Sequence, residues 1–297
     1  MNTFEETKKL IESTLSDLLA LKKVDHNALY QAARYSTLSC AKRLRPLIVI
    51  ELAKSFGAPT HHALKCACAI ELIHTYTLIH DDLPCMDDET ERRGKPPLHH
   101  AFPEGAAVLT GDFLLTYPFE IISSEEILSP AMRVDLIQAL SKRIGGEGVI
   151  AGQLLDLYGE IKNQDQFKTM VLRKTADLFS ACFEFGAIIG KVSQIDRDNL
   201  KEFGQVFGLA FQYIDDLEDD NEYSSDYIQD KTTATTIFGI EGLHLEINQL
   251  INKMRKIESC FNNELLKFLI TFINDKLNSF LLGKPQIQEL AAKNLLR

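Results

Sequence analysis

Apolar residues recur at spacings of three and four along almost the whole chain, and no segment alternates convincingly at period two. That pattern predicts an all-α protein. Thr3-x-x-Glu6 has the form of a capping box and predicts a first helix, with Leu10, Leu15, Leu18, Leu19 and Leu21 on its apolar stripe. A second helix is expected from near Asn27, carrying Tyr30 and Tyr35. Pro46 suits the start of a third, with Leu47, Ile48, Val49, Leu52 and Phe56 following until Gly57-Ala58-Pro59 stops it. Further helices are expected from His62, over 106–122, from Ser129-Pro130 to Gly145-Gly146, over 148–157, 170–190 and 199–220. Glycines such as Gly152 imply close helix approach, since Gly inside a helix costs roughly 1 kcal/mol against Ala. Two late stripes complete the pattern: Leu243, Leu245, Ile247, Leu250 and Ile251, then Leu265, Phe268, Ile270 and Phe272. No linker or composition break divides the chain, so residues 1–297 read as a single-domain helical bundle.

Two carboxylate clusters interrupt this order. Asp81 and Asp82 fall at the end of the helix carrying Ile70, Ile73, Thr77 and Leu78, because the residue before Pro84 is biased out of the helical region. A helix C-terminus already carries partial negative charge, so carboxylates there call for a cation. Far downstream, Asp215 and Asp219 are four apart with Gln212 one turn earlier, so the three share a helix face. A solvated acidic loop would explain either cluster alone. Two clusters on separate helices of one bundle suggest facing walls of a cavity. All-oxygen sites suit magnesium, which takes one or two carboxylates plus phosphate oxygens. Lys42, Arg45, Arg92, Arg93, Lys174 and Lys231 are the cations available for those phosphates.

Hydrophobic content of 45% is ample for a large core. The net charge of −10 argues against a nucleic-acid partner. No stretch reads as long and apolar enough to span a membrane, and the acidic start MNTFEETKK does not resemble a targeting signal, so the expected compartment is the cytoplasm. Cys40, Cys66, Cys68, Cys85, Cys182 and Cys260 have no disulfide-like spacing. Cys66 and Cys68 would point roughly 200° apart on a helix, which suits buried thiols better than a ligand pair.

The ordered set of motifs resembles the trans-isoprenyl diphosphate synthases over nearly the whole chain. Asp81-Asp82-Leu83-Pro84-Cys85-Met86-Asp87 with Arg92-Arg93-Gly94-Lys95-Pro96 is similar to the family's first aspartate-rich block. Gln212-x-x-Asp215-Asp216-x-x-Asp219 is similar to the second. Lys42-Arg43-Leu44-Arg45-Pro46, His74, Gly152-Gln153-x-x-Asp156-Leu157 and Lys174-Thr175 match further blocks in order. The resemblance implies an isoprenoid-synthase bundle around a deep cavity, and head-to-tail condensation of isopentenyl diphosphate with an allylic diphosphate. It implies two to three magnesium ions, held by Asp81, Asp82, Asp87, Asp215, Asp216 and Asp219 and bridged by the substrate diphosphate. Carried over, Lys42, Arg45, His74 and Arg93 would hold isopentenyl diphosphate, and Arg92, Lys174, Thr175, Gln212 and Lys231 would serve the allylic partner. Lys174, Thr175 and Gln212 would stabilise the carbocation-like centre. The family typically forms dimers, so a homodimer is expected.

The chain departs from the family pattern in places. It has Cys40, Ala41 and Ala176 where glycines are usual, Asp230 where a Gly is common, and a segment 220–231 that looks short and lacks the family's lysine between the second aspartate cluster and Asp230-Lys231-Thr232. No proposed magnesium ligand is lost by these changes, so activity is expected to be retained. Tyr76, five residues before Asp81 with Thr77 beside it, resembles the aromatic stopper of bacterial farnesyl diphosphate synthases, and Pro84-Cys85 resembles the insertion of that type. The implied product is therefore C15. Residues 83–87 also resemble plant-type geranylgeranyl synthases, which leaves C20 as the alternative. A weakly active binding subunit of a heteromeric synthase would have degenerate aspartates, and both clusters here are intact. A terpene cyclase would need one diphosphate site, whereas these basic blocks suit two.

Overall fold

A computed structural model describes residues 2–218 and 232–282, with side chains described for 4–218 and 232–280. The described residues are helical throughout, broken by loops, and the lone β-like contact is an isolated bridge between Arg92 and Lys95. The helices are α1 (Asn2–Leu18), α2 (Asn27–Thr37), α3 (Leu44–Ser55), α4 (Thr60–Asp81), α5 (Leu98–Ala101), α6 (Glu104–Ser123) and α7 (Pro130–Ile144). They continue as α8 (Val149–Tyr158), α9 (Gln164–Val171), α10 (Asp177–Ile189), α11 (Gln194–Glu218), α12 (Ala234–Glu258) and α13 (Glu264–Leu282). The chain divides into two compact units, Met1–Ser141 with Ala181–Arg197, and Lys142–Ser180 with Asp198–Arg297. We keep residues 1–297 as one proposed domain, because α7, α10 and α11 each cross a unit boundary without interruption.

In the first unit α4 is the central element, packed against α3 and α6. Cys66 through Ile73 are all buried, so this helix carries no polar face at mid-length. Cys66 and Cys68 are free thiols, and burial pushes the Cys66 thiol up to about 12. The buried stripe of α1 is Thr7, Ile11 and Leu15, spaced one turn apart and continued by buried Leu19 just past the helix end. Leu10 and Leu21, expected on that stripe, are exposed at 45% and 54%. The capping box is also corrected, because α1 starts at Asn2 and Thr3 lies inside it. The sequence is expected to hold no membrane-length apolar stretch. Among the described residues, however, α6 is long and apolar enough to cross one, and its length in the packed unit lies largely against α4. Such helices also occur in ordinary cores, and Ala107, Leu114 and Ile122 of α6 are fully buried.

In the second unit the run expected as one helix over 170–190 is three pieces: α9, a π-helical turn at Leu172–Ala176, and α10. A π turn adds a residue to the helical repeat and rotates the side chains that follow. Two glycines admit it. A Cβ on Gly152 of α8 would lie 2.2 Å from the Lys174 backbone nitrogen, and one on Gly208 of α11 would lie 2.5 Å from Ala176 Cα. Around this turn Phe179 packs on Phe207 and Phe211, which stacks on Phe272 of α13. α12 is kinked at Gly239 (φ 67°). Leu245 and Phe268, expected in the late stripes, are each 46% exposed, while Leu243, Ile247 and Leu266 are fully buried.

Candidate active site

In the first unit the C-terminus of α4 organises the upstream set. The chain does not leave the helix there but folds back on it: Asp87 N–H donates to the Asp81 carbonyl at 2.9 Å, and Asp88 N–H to Leu83 at 3.1 Å. This loop satisfies a carbonyl that a helix end leaves bare, and it returns Asp87 to the same turn as Asp81. Asp81 and Asp87 are half-buried, whereas Asp82 is buried and accepts from Arg92 Nε and Nη2 at 2.8 and 2.6 Å. Burial works against the Arg92 charge, but its bond to Asp82 and the attraction of that carboxylate outweigh it and hold its pKa above the ordinary value.

The next turn is tight. Arg92 and Lys95 exchange backbone hydrogen bonds at 2.7 and 3.2 Å, and both central residues have positive φ, 56° at Arg93 and 75° at Gly94. Positive φ at both positions is the type I′ pattern, easy for Gly and costly for Arg. Arg43 and Asp88 share that left-handed conformation. Among the described residues, three of the five non-glycine residues with positive φ thus lie in the basic and acidic blocks, and strain of this kind concentrates at functional sites.

Of the cations expected to bind phosphate, Lys42 is exposed and Arg45 is half-buried with Nη1 3.3 Å from His74 Nε2. Arg93 Nη1 donates to Ser39 Oγ at 3.4 Å. Burial, followed by the charges of Arg45, Arg93, Arg92 and Arg43, holds His74 well below the ordinary imidazole value. It is therefore neutral and accepts from Arg45. Arg43, in the middle of the basic block, is structural: it is buried and bound to Glu12, Glu71 and the carbonyls of Thr37 and Ser39. Tyr76 is 4% exposed, its ring edge-on to His80 at 5.8 Å, and its hydroxyl has no hydrogen-bond partner among the described residues. Burial, with a smaller contribution from Asp81, raises its pKa. Thr77 is half-buried and donates to the His74 carbonyl.

In the second unit the π turn presents Lys174 and Thr175 to a cavity lined by Asp156, Lys174, Thr175, Gln212, Asp216 and Thr233. Lys174 Nζ is bound by the Asp156 carboxylate. Thr175 Oγ donates to Gln212 Oε1 at 2.9 Å, and Gln212 Nε2 donates to Asp216 Oδ1 at 2.8 Å. Asp216 Oδ2 accepts from Ala234 N–H at 2.7 Å, at the start of α12. Asp215 is half-buried beside it. Asp219, Lys231 and the shortened segment 220–231 lie outside the described residues.

A sequence model of the family described as Polyprenyl synthetase matches residues 26–263. The chain belongs to the polyprenyl synthetase family. It is 36% identical over 265 residues to the farnesyl diphosphate synthase of Bacillus subtilis, covering 85% of this chain and 89% of that one. It is 37% identical over 259 residues to the chloroplastic geranylgeranyl pyrophosphate synthase 7 of Arabidopsis thaliana, covering 83% and 75%. Among solved structures, an apo farnesyl/geranylfarnesyl diphosphate synthase (FPP/GFPP synthase) of Zymomonas mobilis superposes with a TM-score of 0.84 at 34% identity, covering 93% and 98% of the two chains. A Helicobacter pylori geranyltransferase complexed with magnesium and isoprenyl diphosphate superposes with a TM-score of 0.79 at 30% identity, covering 94% and 97%. The all-α fold is thus the isoprenoid-synthase fold, and the chain is a short-chain prenyltransferase.

Within this synthase, sequence reasoning missed Asp156 and Ser39 as partners of proposed substrate-binding residues. Asp156 had a signal: it lies one turn after Gly152, on the α8 face that the absent side chain leaves open to Lys174. Among the described residues no three His, Cys, Asp or Glu side chains are gathered to hold a metal by themselves. Magnesium does not require that, since it keeps waters and takes substrate phosphates besides one or two carboxylates. The half-buried carboxylates of Asp81 and Asp87 in the first unit, and separately that of Asp215 in the second, are hard oxygen donors of the kind such ions take.

Proposed function

We propose that this prenyltransferase is magnesium-dependent and condenses isopentenyl diphosphate with dimethylallyl and geranyl diphosphates, releasing diphosphate and making the C15 product farnesyl diphosphate. The observation that carries the metal dependence is the fold-back at α4, which returns Asp87 to Asp81 through a 2.9 Å backbone bond. In this reading Asp81, Asp87 and Asp215 hold two to three ions. When bound, these supply Lewis acidity to the departing diphosphate.

The chain's own residues do the rest. Lys42, Arg45 and Arg93 bind isopentenyl diphosphate, with neutral His74 accepting from Arg45 and so aiming it. Lys174 binds the allylic diphosphate, and Asp156 holds its ammonium in place. Arg92 serves chiefly to fix Asp82, and Lys231 and Asp219 keep the roles that the family resemblance implies. Thr175 and Gln212 direct oxygen dipoles at the developing positive charge. Phe167, Met170 and Val171, buried residues on the wall of the Lys174 cavity, help exclude water, which would otherwise quench that centre. Tyr76, with Thr77, limits chain length, because its ring is buried just before the aspartate cluster on α4. The likeness to the Arabidopsis enzyme supports C20 as the second reading. We further propose a cytoplasmic homodimer.

Diphosphate release by the purified protein tests this function. Release is expected only with isopentenyl diphosphate, an allylic diphosphate and magnesium together. Release from the allylic diphosphate alone would point to a cyclase, and no release with either primer would overturn the proposal.

A further inference from the structure

Both aspartate pairs show the same asymmetry: the first member is half-buried, and the second is buried and bound by protein groups. The second pair has a chemical consequence. An ionised carboxylate accepts hydrogen bonds and donates none. Asp216 therefore obliges the Gln212 amide to present its N–H, which it does at 2.8 Å. The amide oxygen is thereby turned to Thr175, whose hydroxyl must donate, at 2.9 Å. A threonine hydroxyl has one proton and two lone pairs. With the proton committed to Gln212, the oxygen of this cavity-lining residue keeps its lone pairs for a positive charge. The second carboxylate oxygen is occupied by Ala234 N–H at 2.7 Å, which fixes Asp216 itself.

We propose that Asp216 is a positioning residue that sets the polarity of the Gln212 amide, and through it that of the Thr175 hydroxyl, and is not a metal carboxylate. This rests on the reading that the cavity takes the allylic diphosphate. Replacing Asp216 by the isosteric Asn reverses the chain of bonds. The Asn oxygen stays with Ala234 N–H, its NH2 faces Gln212, and the Gln212 amide turns over. Thr175 must then accept from Gln212, which leaves its proton as the group it offers to the cavity. The shape of the site is kept and its polarity is inverted.

The test compares D216N, D215N, T175V and the double variant D216N/T175V. D216N is expected to lower kcat at least tenfold, with the magnesium concentration for half-maximal rate within about twofold of the parent. D215N is expected to raise that concentration at least tenfold. T175V is expected to lower kcat about tenfold in the parent and to cost less than about twofold in the D216N background, because the polarity is already lost there. In metal-free protein D216N is expected to lower Tm by about 3 °C or more, as the Ala234–Asp216–Gln212 bonds weaken, and D215N to leave it unchanged or raise it. This last readout is independent of turnover, so it tests the bonded strut even if the proposed reaction fails. Should D216N not fold, Q212M serves instead, since it leaves Asp216 on Ala234. Its kcat loss and that of T175V are then expected not to multiply. A magnesium requirement that rises in D216N as it does in D215N, losses that multiply in the double variant, or an unchanged Tm would overturn the proposal.

Discussion

Arg43 donates to Glu71 at 2.7 Å inside the first unit, and to Glu12 at 2.7 and 3.2 Å, so the centre of the Lys42–Arg45 block is a strut between α1 and α4. Lys42 and Arg45, flanking it in the block, are more exposed, and in the proposed reaction they are the cations of this block that meet phosphate. Removing one member of a buried pair leaves the other uncompensated, which costs about 3–5 kcal/mol. Arg43→Ala is accordingly expected to lower stability by that amount in chemical denaturation. Lys42→Ala is expected to leave stability within about 0.5 kcal/mol and to raise KM for isopentenyl diphosphate.

Gly152→Ala would drive a methyl group into the π turn, 2.2 Å from the Lys174 nitrogen and 2.5 Å from its Cα. Backbone at that distance must move, and Lys174 and Thr175 move with it. Steady-state kinetics should show kcat/KM for the allylic diphosphate falling at least tenfold, with KM for isopentenyl diphosphate unchanged within about twofold. A variant with normal allylic kinetics would show that the turn tolerates displacement.

Tyr76 separates size from polarity. Its buried hydroxyl has no partner among the described residues, so Tyr76→Phe removes an unsatisfied polar group and is expected to keep both stability and product length. Tyr76→Ala opens the space its ring fills and should shift the product from C15 towards C20. Product mass distributions from geranyl diphosphate check both variants. A longer product from the Phe variant, or no change in the Ala variant, would remove Tyr76 as the stopper.

His74 gives a pH dependence whose sign follows from its surroundings. Burial and the facing cations Arg45, Arg93, Arg92 and Arg43 depress its folded pKa, while the unfolded chain keeps the ordinary value near 6.5. Below that value the unfolded state binds more protons, so this contribution to stability is complete above about pH 6.5 and declines as pH falls. Thermal unfolding between pH 7.5 and 5.5 should show the decline. His74→Gln, whose oxygen can still accept from Arg45, should show less of it.

The helical architecture was legible because buried apolar residues impose their period on the sequence, and several helix boundaries fall at Pro or Gly, among them Pro59, Pro97, Pro103, Gly148 and Gly159. The π turn was not legible, since Leu172 to Ala176 carries the same apolar period as the helices around it. What produces the turn is tertiary, two glycines on other helices that let it approach. The stripes of α1 and α13 were misjudged at Leu10 and Phe268 because period alone does not say which apolar face meets a neighbour. Asp81, Asp87, Lys174, Thr175 and Gln212 were singled out from the sequence, and the structure adds how they are held. The structural role of Arg43 was hidden because its partners, Glu12 and Glu71, are distant in the chain.

The most direct test of the account is mass analysis of the prenyl products formed by the purified protein from geranyl and isopentenyl diphosphates, with magnesium and with excess chelator. We predict a C15 diphosphate that forms with magnesium and disappears with chelator. Products unchanged by chelator, or geranyl diphosphate recovered without any elongation in the presence of magnesium, would contradict the account.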